Sequence, residues 1–315
     1  MNPPSVTGVL LTLTAVLLWG AQLPIAKNAM ADLDGYTITL VRYAVAVAGL
    51  LVVLGLREGI ASLVPTGRAR LVTMAGVIGM AGSGLLVFVG LSLTRPEVTV
   101  IIIALQPAMT AIAQWLGGGR RLAPFTVACL IAAFFGVAIV VTHGGAGIGE
   151  LIRTSPRELL GDALVILGAS AWVAYTLMTE RLQGWSSLRI SALTCLTALG
   201  AIVIVWLIAL ALGGAQVPRI ETLQQHGWRL AYLALLGVIG GMFLWNAGSR
   251  RIGPLNAMLL LNLMPVITFT MRAIQGATFR ASEIVGACVV VAALVANNLY
   301  LRIAARRAAR ATAYA

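Results

Sequence analysis

Residues 79–110, GMAGSGLLVFVGLSLTRPEVTVIIIALQPAMT, return in altered form 158 positions later as residues 237–268, GVIGGMFLWNAGSRRIGPLNAMLLLNLMPVIT. Eight of the 32 aligned positions are identical, and they favour Gly and Pro over the Leu and Ala that apolar composition alone would favour. The pairs are Gly79/Gly237, Gly82/Gly240, Leu86/Leu244, Gly90/Gly248, Pro96/Pro254, Leu105/Leu263, Pro107/Pro265 and Thr110/Thr268. At a shift of 153, Gly8 aligns with Gly161, Trp19 with Trp172 and Ala21 with Ala174. The chain is therefore predicted to contain two related halves, repeat one at 1–149 and repeat two at 150–305.

The composition around this repeat is that of a membrane protein. Of 315 residues, 60% are hydrophobic and only 10% are charged, and the mean hydropathy is +0.96. Soluble domains carry roughly a quarter charged residues, so a sizeable soluble catalytic domain is excluded. Ten continuous apolar stretches, each long enough to cross a bilayer as a helix, predict an all-α integral membrane protein with ten transmembrane helices in one domain, 1–315. They fall at 6–29, 35–56, 70–92, 96–117, 123–143, 159–180, 189–213, 228–249, 253–274 and 282–303.

The charges predict how these helices are oriented. With the N-terminus in the cytoplasm, 13 of the 22 basic residues lie on the cytoplasmic side and seven on the opposite side, as the positive-inside rule requires. Both termini are then cytoplasmic in a multi-pass protein of the bacterial inner (plasma) membrane. The basic tail, 302–315, holds four arginines and is expected to lie against anionic membrane lipids. Because the arginines occur singly or in pairs between apolar runs, the net charge of +12 does not indicate a nucleic-acid partner.

The number of helices in each half points to a function. Five is odd, so the second half must cross the membrane in the opposite sense to the first, which makes an inverted-topology repeat. Many secondary transporters are built this way, with the substrate site near the bilayer midplane between the halves. We therefore expect a carrier that works by alternating access.

Short motifs carry a family resemblance. They are Trp19-Gly20 and Ala171-Trp172 in the first and sixth predicted spans, and Pro-x(10)-Pro-x-x-Thr at 96–110 and 254–268. With the paired halves, they resemble the drug/metabolite transporter superfamily, in particular its ten-helix EamA-like branch, and the whole chain is similar to bacterial YddG-type exporters of aromatic amino acids. The resemblance implies export of small metabolites, with aromatic or bulky apolar amino acids as the expected cargo.

Polar and aromatic residues at mid-membrane depth are the candidate substrate-binding residues. A polar group there needs a partner or a function, and mid-membrane rings offer stacking surfaces to a flat apolar ligand. Helix packing alone is the alternative explanation for each of them. The polar candidates are Gln22, Gln106, Asn246 and Asn262, and the aromatic candidates are Trp19, Phe88, Trp172, Tyr175 and Trp245.

Prolines and two cations complete the set. Pro24, Pro107 and Pro265 are predicted to kink their helices, and the carbonyl that Pro24 frees is available to the Gln22 amide or to another group. Lys27 and Arg42 lie near the outer ends of the first and second spans. They are expected at the outer mouth, either extended to the interface, paired with Asp32 or Asp34, or attracting a substrate carboxylate.

Other functions fit the sequence less well. No Asp or Glu lies at mid-membrane, since Asp162 and Glu180 mark the ends of the sixth span, so we expect facilitated or weakly coupled movement. A multidrug or other metabolite carrier is the main alternative. An intramembrane enzyme is disfavoured because the two histidines, His143 and His226, lie at helix ends away from any predicted cluster. No metal, cofactor or catalytic residue is predicted, a channel remains possible, and the sequence leaves the oligomeric state open.

Overall fold

The computed structural model describes residues 5–117, 123–141, 155–253, 257 and 260–313, with the backbone alone at 114, 141, 298, 301, 302 and 304–313. These residues are helical apart from short connections, and none of them lies in a strand. Every helix bound below therefore refers to this part of the chain. The helices are α1 Val6–Ala29, α2 Gly35–Glu58, α3 Ala69–Leu93, α4 Pro96–Ile103, α5 Gln106–Leu116, α6 Pro124–Val141, α7 Pro156–Thr179, α8 Ser187–Ala211, α9 Ile220–Gln225, α10 Gly227–Ile252, α11 Met264–Ile274 and α12 Ala281–Ala313.

Seven helical stretches are long and apolar enough to cross a bilayer. They are α1, α2, α3, the interrupted pair α4 and α5 taken as one stretch to Ala113, α7, α8 and α10. Shorter apolar helices cover Pro124–Val140, Met264–Ile274 and Ala281–Asn297. Large apolar side chains project from the outer surface, among them Val52, Phe134 and Ile204, each at least 60% exposed. A surface of this kind belongs in lipid rather than in water, and the chain is an all-helical integral membrane protein.

Irregular backbone occurs at repeat-equivalent positions. Within α3 the helix widens to π geometry at Ala75–Ala81, and within α10 it does so at Tyr232–Gly240. The break between α4 and α5, residues 104–105, lies 158 positions before the break at residues 262–263 that precedes α11. Pro107 and Pro265 lie in the first turns of α5 and α11, where a missing N–H costs no helix bond. These prolines therefore begin new helices after a break instead of kinking continuous ones.

Glycines bring two pairs of helices into close contact. On α3 and α7, a methyl group added to Gly90 would lie 2.6 Å from the carbonyl oxygen of Gly161. On α10 and α1, a methyl group added to Gly248 would lie 2.9 Å from the carbonyl oxygen of Gly8. Small residues allow this approach of backbones, which is how transmembrane helices associate where no hydrophobic force separates them from lipid. The packing of α1 on α10 therefore matches that of α7 on α3.

The two ends of the bundle are held together by different kinds of polar contact. At the Glu97 end, Glu97 pairs with Arg272 and Arg95 with Glu283, both at 2.7 Å, while Asp32 contacts the His226 ring at 2.8 Å. At the opposite, Arg68 end, arginines donate to backbone carbonyls: Arg68 to Arg181 at 2.7 Å and Arg189 to Val64 at 2.8 Å. Each of these contacts joins a residue in the first half of the chain to one in the second half.

Candidate functional site

A cavity of about 90 Å³ lies at the centre of the bundle, between the two halves. Side chains from α1, α2, α3 and α7 line it, together with residues on both sides of each helix break: Ile103 and Gln106 at one, Leu261 and Met264 at the other. Interrupting a helix exposes its backbone, and membrane proteins tolerate this where the chain lines a cavity. The breaks at 104–105 and 262–263 therefore belong to the architecture of the site.

Five of the predicted substrate-binding residues line this cavity: Trp19, Gln22, Phe88, Gln106 and Trp172. The sequence analysis missed other lining residues, notably Tyr43, Ser83, Met80, Met242 and Met264. Methionine in an apolar helix gives no periodic or chemical signal of its own, since it packs equally well in a core. Tyr43 follows Arg42 directly in the sequence, but Arg42 was itself predicted at the outer mouth, so this adjacency gave no signal for the cavity.

Four of the five aromatic candidates, all except Phe88, form one cluster with Trp172 at its centre. Its ring stacks on Tyr175 at 5.1 Å and meets the edge of Trp19 at 5.2 Å, and Trp19 lies 5.4 Å from Trp245. Tyr175 and Trp245 are almost completely buried and are absent from the described cavity lining. The expectation that they face a ligand directly is thus corrected: they support the two tryptophans that do line the cavity.

Trp19 is also fixed by a hydrogen bond that depends on the irregular backbone of α10. Its indole Nε1 donates to the carbonyl oxygen of Gly237 at 2.8 Å, inside the π segment. A methyl group on Gly241 would collide with the indole Nε1 atom of Trp19, so this glycine leaves room for the ring. Because the ring is fixed at its polar edge, its apolar face is held in position beside the cavity.

The polar candidates separate into two groups. Gln22 and Gln106 line the cavity; the Gln22 Oε1 atom is buried without a hydrogen-bond partner, and Gln106 Nε2 makes a long bond of 3.4 Å to the Ala169 carbonyl. Asn246 and Asn262 are not part of the described lining. The Asn246 amide nitrogen donates to the hydroxyls of Ser191 and Tyr175, whereas both amide atoms of Asn262, at the second helix break, are buried without a partner.

Pro24 has a specific partner in the other half of the chain. The ring of a proline inside a helix frees the carbonyl four residues earlier, here that of Gly20. The hydroxyl of Thr268 donates to this oxygen at 2.8 Å. The Gln22 amide was one candidate for this role; Thr268 fills it instead, and the Gln22 side chain remains available in the cavity wall.

The two cations lie in different places. The ammonium group of Lys27 donates to the carbonyl oxygens of Leu91 and Thr94, both at 2.7 Å, and so caps the C-terminal end of α3. Asp32 and Asp34, the expected partners, instead contact His226 and cap the N-terminus of α2. Arg42 is 5% exposed and lines the central cavity, with its guanidinium carbon 3.5 Å from the centre of the Phe88 ring. The outer-mouth assignment is therefore corrected for Arg42, whereas Lys27 lies at the Glu97 end, with backbone carbonyls and not Asp32 or Asp34 as its partners.

Carboxylates and metal ligands are placed away from this cavity. Among the described lining residues there is no Asp or Glu. Within the same described part of the chain, no group of three or more His, Cys, Asp or Glu side chains could hold a metal ion. Asp162 accepts a hydrogen bond from Thr94 at 2.6 Å, near the Glu97 end. The arrangement offers ring faces, amides and one cation to a ligand.

A bundle of membrane-spanning helices that encloses a central cavity of this kind has the general form of a membrane transporter. The sequence comparison identifies it more closely. The model of the EamA-like transporter family matches residues 6–142 and again residues 159–299. The chain belongs to this family.

Two relatives and one solved structure extend the comparison. The uncharacterized transporter YrdR of Bacillus subtilis (strain 168) is 29% identical over 300 residues, covering 94% of this chain and 92% of the relative. The uncharacterized transporter YyaM of the same organism is 27% identical over 285 residues, covering 90% and 91%. A protein crystal structure aligns with a TM-score of 0.66 at 19% identity, covering 93% of this chain and 97% of the other. At this identity the match shows a shared fold.

Proposed function

We propose that this transporter is a secondary carrier that exports small amphipathic metabolites, principally aromatic or bulky apolar amino acids, by alternating access. The observation that carries the proposal is the composition of the cavity wall. Trp19, Trp172 and Phe88 present rings, while Gln22 and Gln106 present amides, within one cavity at the centre of the bundle. An apolar pocket with a few convergent polar groups is the usual form of a small-molecule site.

The ring arrangement suits a flat apolar side chain. Aromatic groups attract one another in stacked or edge-to-face contacts at centroid distances of about 4.5–7 Å. Trp172 is held from behind by Tyr175 and Trp245, so binding a ligand ring would require little reordering of side chains. The unpartnered Gln22 Oε1 atom is free to accept a hydrogen bond from the polar part of the ligand.

Two observations support an inverted repeat and, with it, alternating access. Tyr175 packs closely on Gly79, because a methyl group added to this glycine would lie 2.6 Å from the Tyr175 Cβ atom. Gln22 packs in the same way on Gly237, where an added methyl group would lie 2.9 Å from the Gln22 Oε1 atom. These pairs are equivalent under the shifts of 153 and 158. In addition, α1 ends near Asp32 at the Glu97 end, whereas α7 ends near Arg181 at the Arg68 end. The first helices of the two halves thus run in opposite directions, as inverted halves require.

The proposed membrane orientation can be tested by cysteine labelling. We place the Arg68 end and both termini in the cytoplasm of a ten-span protein in the bacterial inner membrane. In a variant without native cysteines, Thr66→Cys and Arg181→Cys should react with an impermeant maleimide only after the cells are permeabilised. Gln216→Cys, an exposed position at the Glu97 end, should react in intact cells. Labelling of positions 66 and 181 on opposite faces would contradict the inverted arrangement.

Transport itself is tested with purified protein in liposomes. The panel should contain radiolabelled aromatic amino acids, branched-chain amino acids, sugars and a cationic dye, with and without a pH difference. We expect saturable counterflow of an aromatic or branched amino acid, which also separates a carrier from a channel. Trp172→Ala should lower the uptake, whereas Trp228→Ala, at a position 60% exposed, should not. Equal loss in both variants, or preference for the dye, would contradict the proposal.

A further inference from the structure

Arg42 is a buried cation without a counter-ion in the protein. It lies in α2, 5% exposed, and it makes no ion pair or hydrogen bond with the described residues. Its Nε atom is among the buried polar atoms that lack a partner. The nearest groups identified are ring faces: the guanidinium carbon lies 3.5 Å from the centre of Phe88 and 5.2 Å from that of Tyr43.

Ring faces stabilise this charge without meeting its hydrogen-bonding needs. A guanidinium group has five N–H donors in a fixed planar fork, and a ring accepts none of them in the way an oxygen atom does. Burying a charge is unfavourable unless it is both paired and hydrogen-bonded. Arg42 therefore has unused N–H donors and an unpaired charge, both of which a suitable ligand would satisfy.

The surroundings of Arg42 fix the sign of that ligand. The described lining of the cavity contains no Asp or Glu, so the counter-charge has to come from the contents of the cavity. Planar oxyanions, carboxylates above all, match the guanidinium fork with two parallel hydrogen bonds. Gly84 leaves room beside it, because a methyl group there would lie 3.3 Å from Arg42 Nη2.

We propose that Arg42 is the anion-binding residue of the cavity and that the cargo carries a carboxylate, which the guanidinium group binds while the tryptophans contact the apolar part. This inference rests on the proposed function, because it takes the central cavity to be the transport site. It goes further by making the carboxylate a requirement. An amine of the same ring size lacks the group that Arg42 needs and adds a second positive charge beside it.

Four indoles test this requirement, because they share a ring and differ in charge. Indole-3-propionate carries a carboxylate alone, tryptophan a carboxylate and an ammonium, tryptamine an ammonium alone, and 3-methylindole neither. Binding to the full-length protein in nanodiscs is measured by isothermal titration calorimetry. We expect the two carboxylates to bind roughly tenfold or more tightly than tryptamine and 3-methylindole, as removal of a buried charge partner predicts.

Variants assign the effect to a residue. Arg42→Gln should weaken binding of indole-3-propionate by roughly tenfold or more and leave that of 3-methylindole unchanged. Arg42→Lys keeps the charge without the fork, so it should retain intermediate affinity. Arg57→Gln removes a charge from an exposed position on the same helix and should bind all four probes as the wild type does. If Arg42→Gln does not fold, the ranking of probes on the wild type still decides.

The outcomes separate this inference from the proposed function. If tryptamine or 3-methylindole binds as tightly as indole-3-propionate, and Trp172→Ala weakens them all, the carboxylate requirement is wrong and the aromatic cavity stands. If carboxylate binding depends on Arg42 and is independent of Trp172, the anion site stands and the aromatic cargo is wrong. If neither the four indoles nor a branched-chain amino acid binds to the wild-type protein, both proposals are wrong.

Discussion

Two clusters of side chains, the Arg42 corner and the Asn246 corner, occupy equivalent positions in the two halves but differ in whether their polar atoms have partners. The Arg42 corner is built from Gln22, Arg42 and Phe88, and the Asn246 corner from Tyr175, Thr194 and Asn246. Phe88 and Asn246 are related by the shift of 158 and Gln22 and Tyr175 by the shift of 153. Arg42 and Thr194 each lie eight residues after the residue that caps their helix, Asp34 in α2 and Ser186 in α8.

The Asn246 corner is the closed one: it lies outside the described cavity lining, and the Asn246 amide nitrogen and the Thr194 hydroxyl donate within the protein. Asn246 Nδ2 donates to the Ser191 hydroxyl at 2.8 Å and to the Tyr175 hydroxyl at 3.3 Å, and the Thr194 hydroxyl bonds to its own helix. The Arg42 corner opens on the cavity and keeps unpartnered polar atoms on both Arg42 and Gln22. The comparison teaches that a repeated scaffold can hold two different corners, one filled by the protein and one left for a ligand.

The largest expected effect is on the scaffold that the corners share. Gly248→Ala and Gly90→Ala each place a methyl group against backbone atoms of the facing helix, which cannot move aside as a side chain can. We expect each to lower the free energy of unfolding in detergent by about 3 kcal/mol. Gly200→Ala, whose methyl group would meet no atom within 4 Å, is the control. If only one of the pair is destabilised, the packing of the two halves is not equivalent.

Removing the polar group of the closed corner comes next. Asn246→Leu leaves the buried hydroxyls of Tyr175 and Ser191 without their shared donor, and this should lower the free energy of unfolding by about 1–3 kcal/mol. Binding of indole-3-propionate should change little, because Asn246 is outside the described cavity lining. Thermal unfolding and calorimetry measure the two effects. A large loss of affinity with unchanged stability would show that the closed corner also contacts the ligand.

A smaller effect is expected where the halves use equivalent threonines differently. Thr268 donates to the Gly20 carbonyl that Pro24 frees in another helix, whereas Thr110 donates to Gln106 within its own helix. Thr268→Val should therefore lower the free energy of unfolding by about 1 kcal/mol. Thr110→Val should change it by less than about 0.5 kcal/mol. Equal effects would mean that the proline carbonyl is satisfied in some other way.

The smallest effect concerns the space around Arg42. Gly84→Ala would bring a methyl group 3.1 Å from the Tyr43 hydroxyl and 3.3 Å from Arg42 Nη2, which displaces the guanidinium slightly. We expect affinity for indole-3-propionate to fall about threefold, which is less than 1 kcal/mol, with stability unchanged. Gly82→Ala, where the added methyl group makes an ordinary 3.4 Å contact with Ala171, should leave the affinity as it is. A loss of affinity in both variants would point to a general change in α3.

The sequence predicted the fold best where glycine and proline mark it. The identities at Gly90/Gly248 and Pro107/Pro265 fall on close helix contacts and helix starts in the structure. The π segments of α3 and α10 were not predictable, because their apolar residues have the same pattern as an ordinary transmembrane helix. The breaks at 104–105 and 262–263 were predicted as kinks, because the sequence shows the proline but not that the helix stops before it.

Within the site, the sequence indicated how deep a residue lies in the membrane but not which way its side chain faces. Trp19, Gln22 and Trp172 were identified from their mid-helix positions, and they line the cavity. Arg42 lies eight residues into α2, about 12 Å from the helix start, within reach of the interface for a long side chain. Because apolar residues occupy most positions on every side of α2, its sequence does not clearly distinguish the face toward lipid from the face toward the cavity, and packing places Arg42 inside.

The ion pairs at the Glu97 end have a consequence for how the protein responds to its medium. Separating Glu97 from Arg272 and Arg95 from Glu283 exposes four charges to water, where dissolved ions screen their attraction. The arginine–carbonyl contacts at the Arg68 end involve one charge each and depend far less on ionic strength. If the two ends open in turn, added salt should therefore favour the conformation open at the Glu97 end, and transport rates in the two directions should diverge as the salt concentration rises.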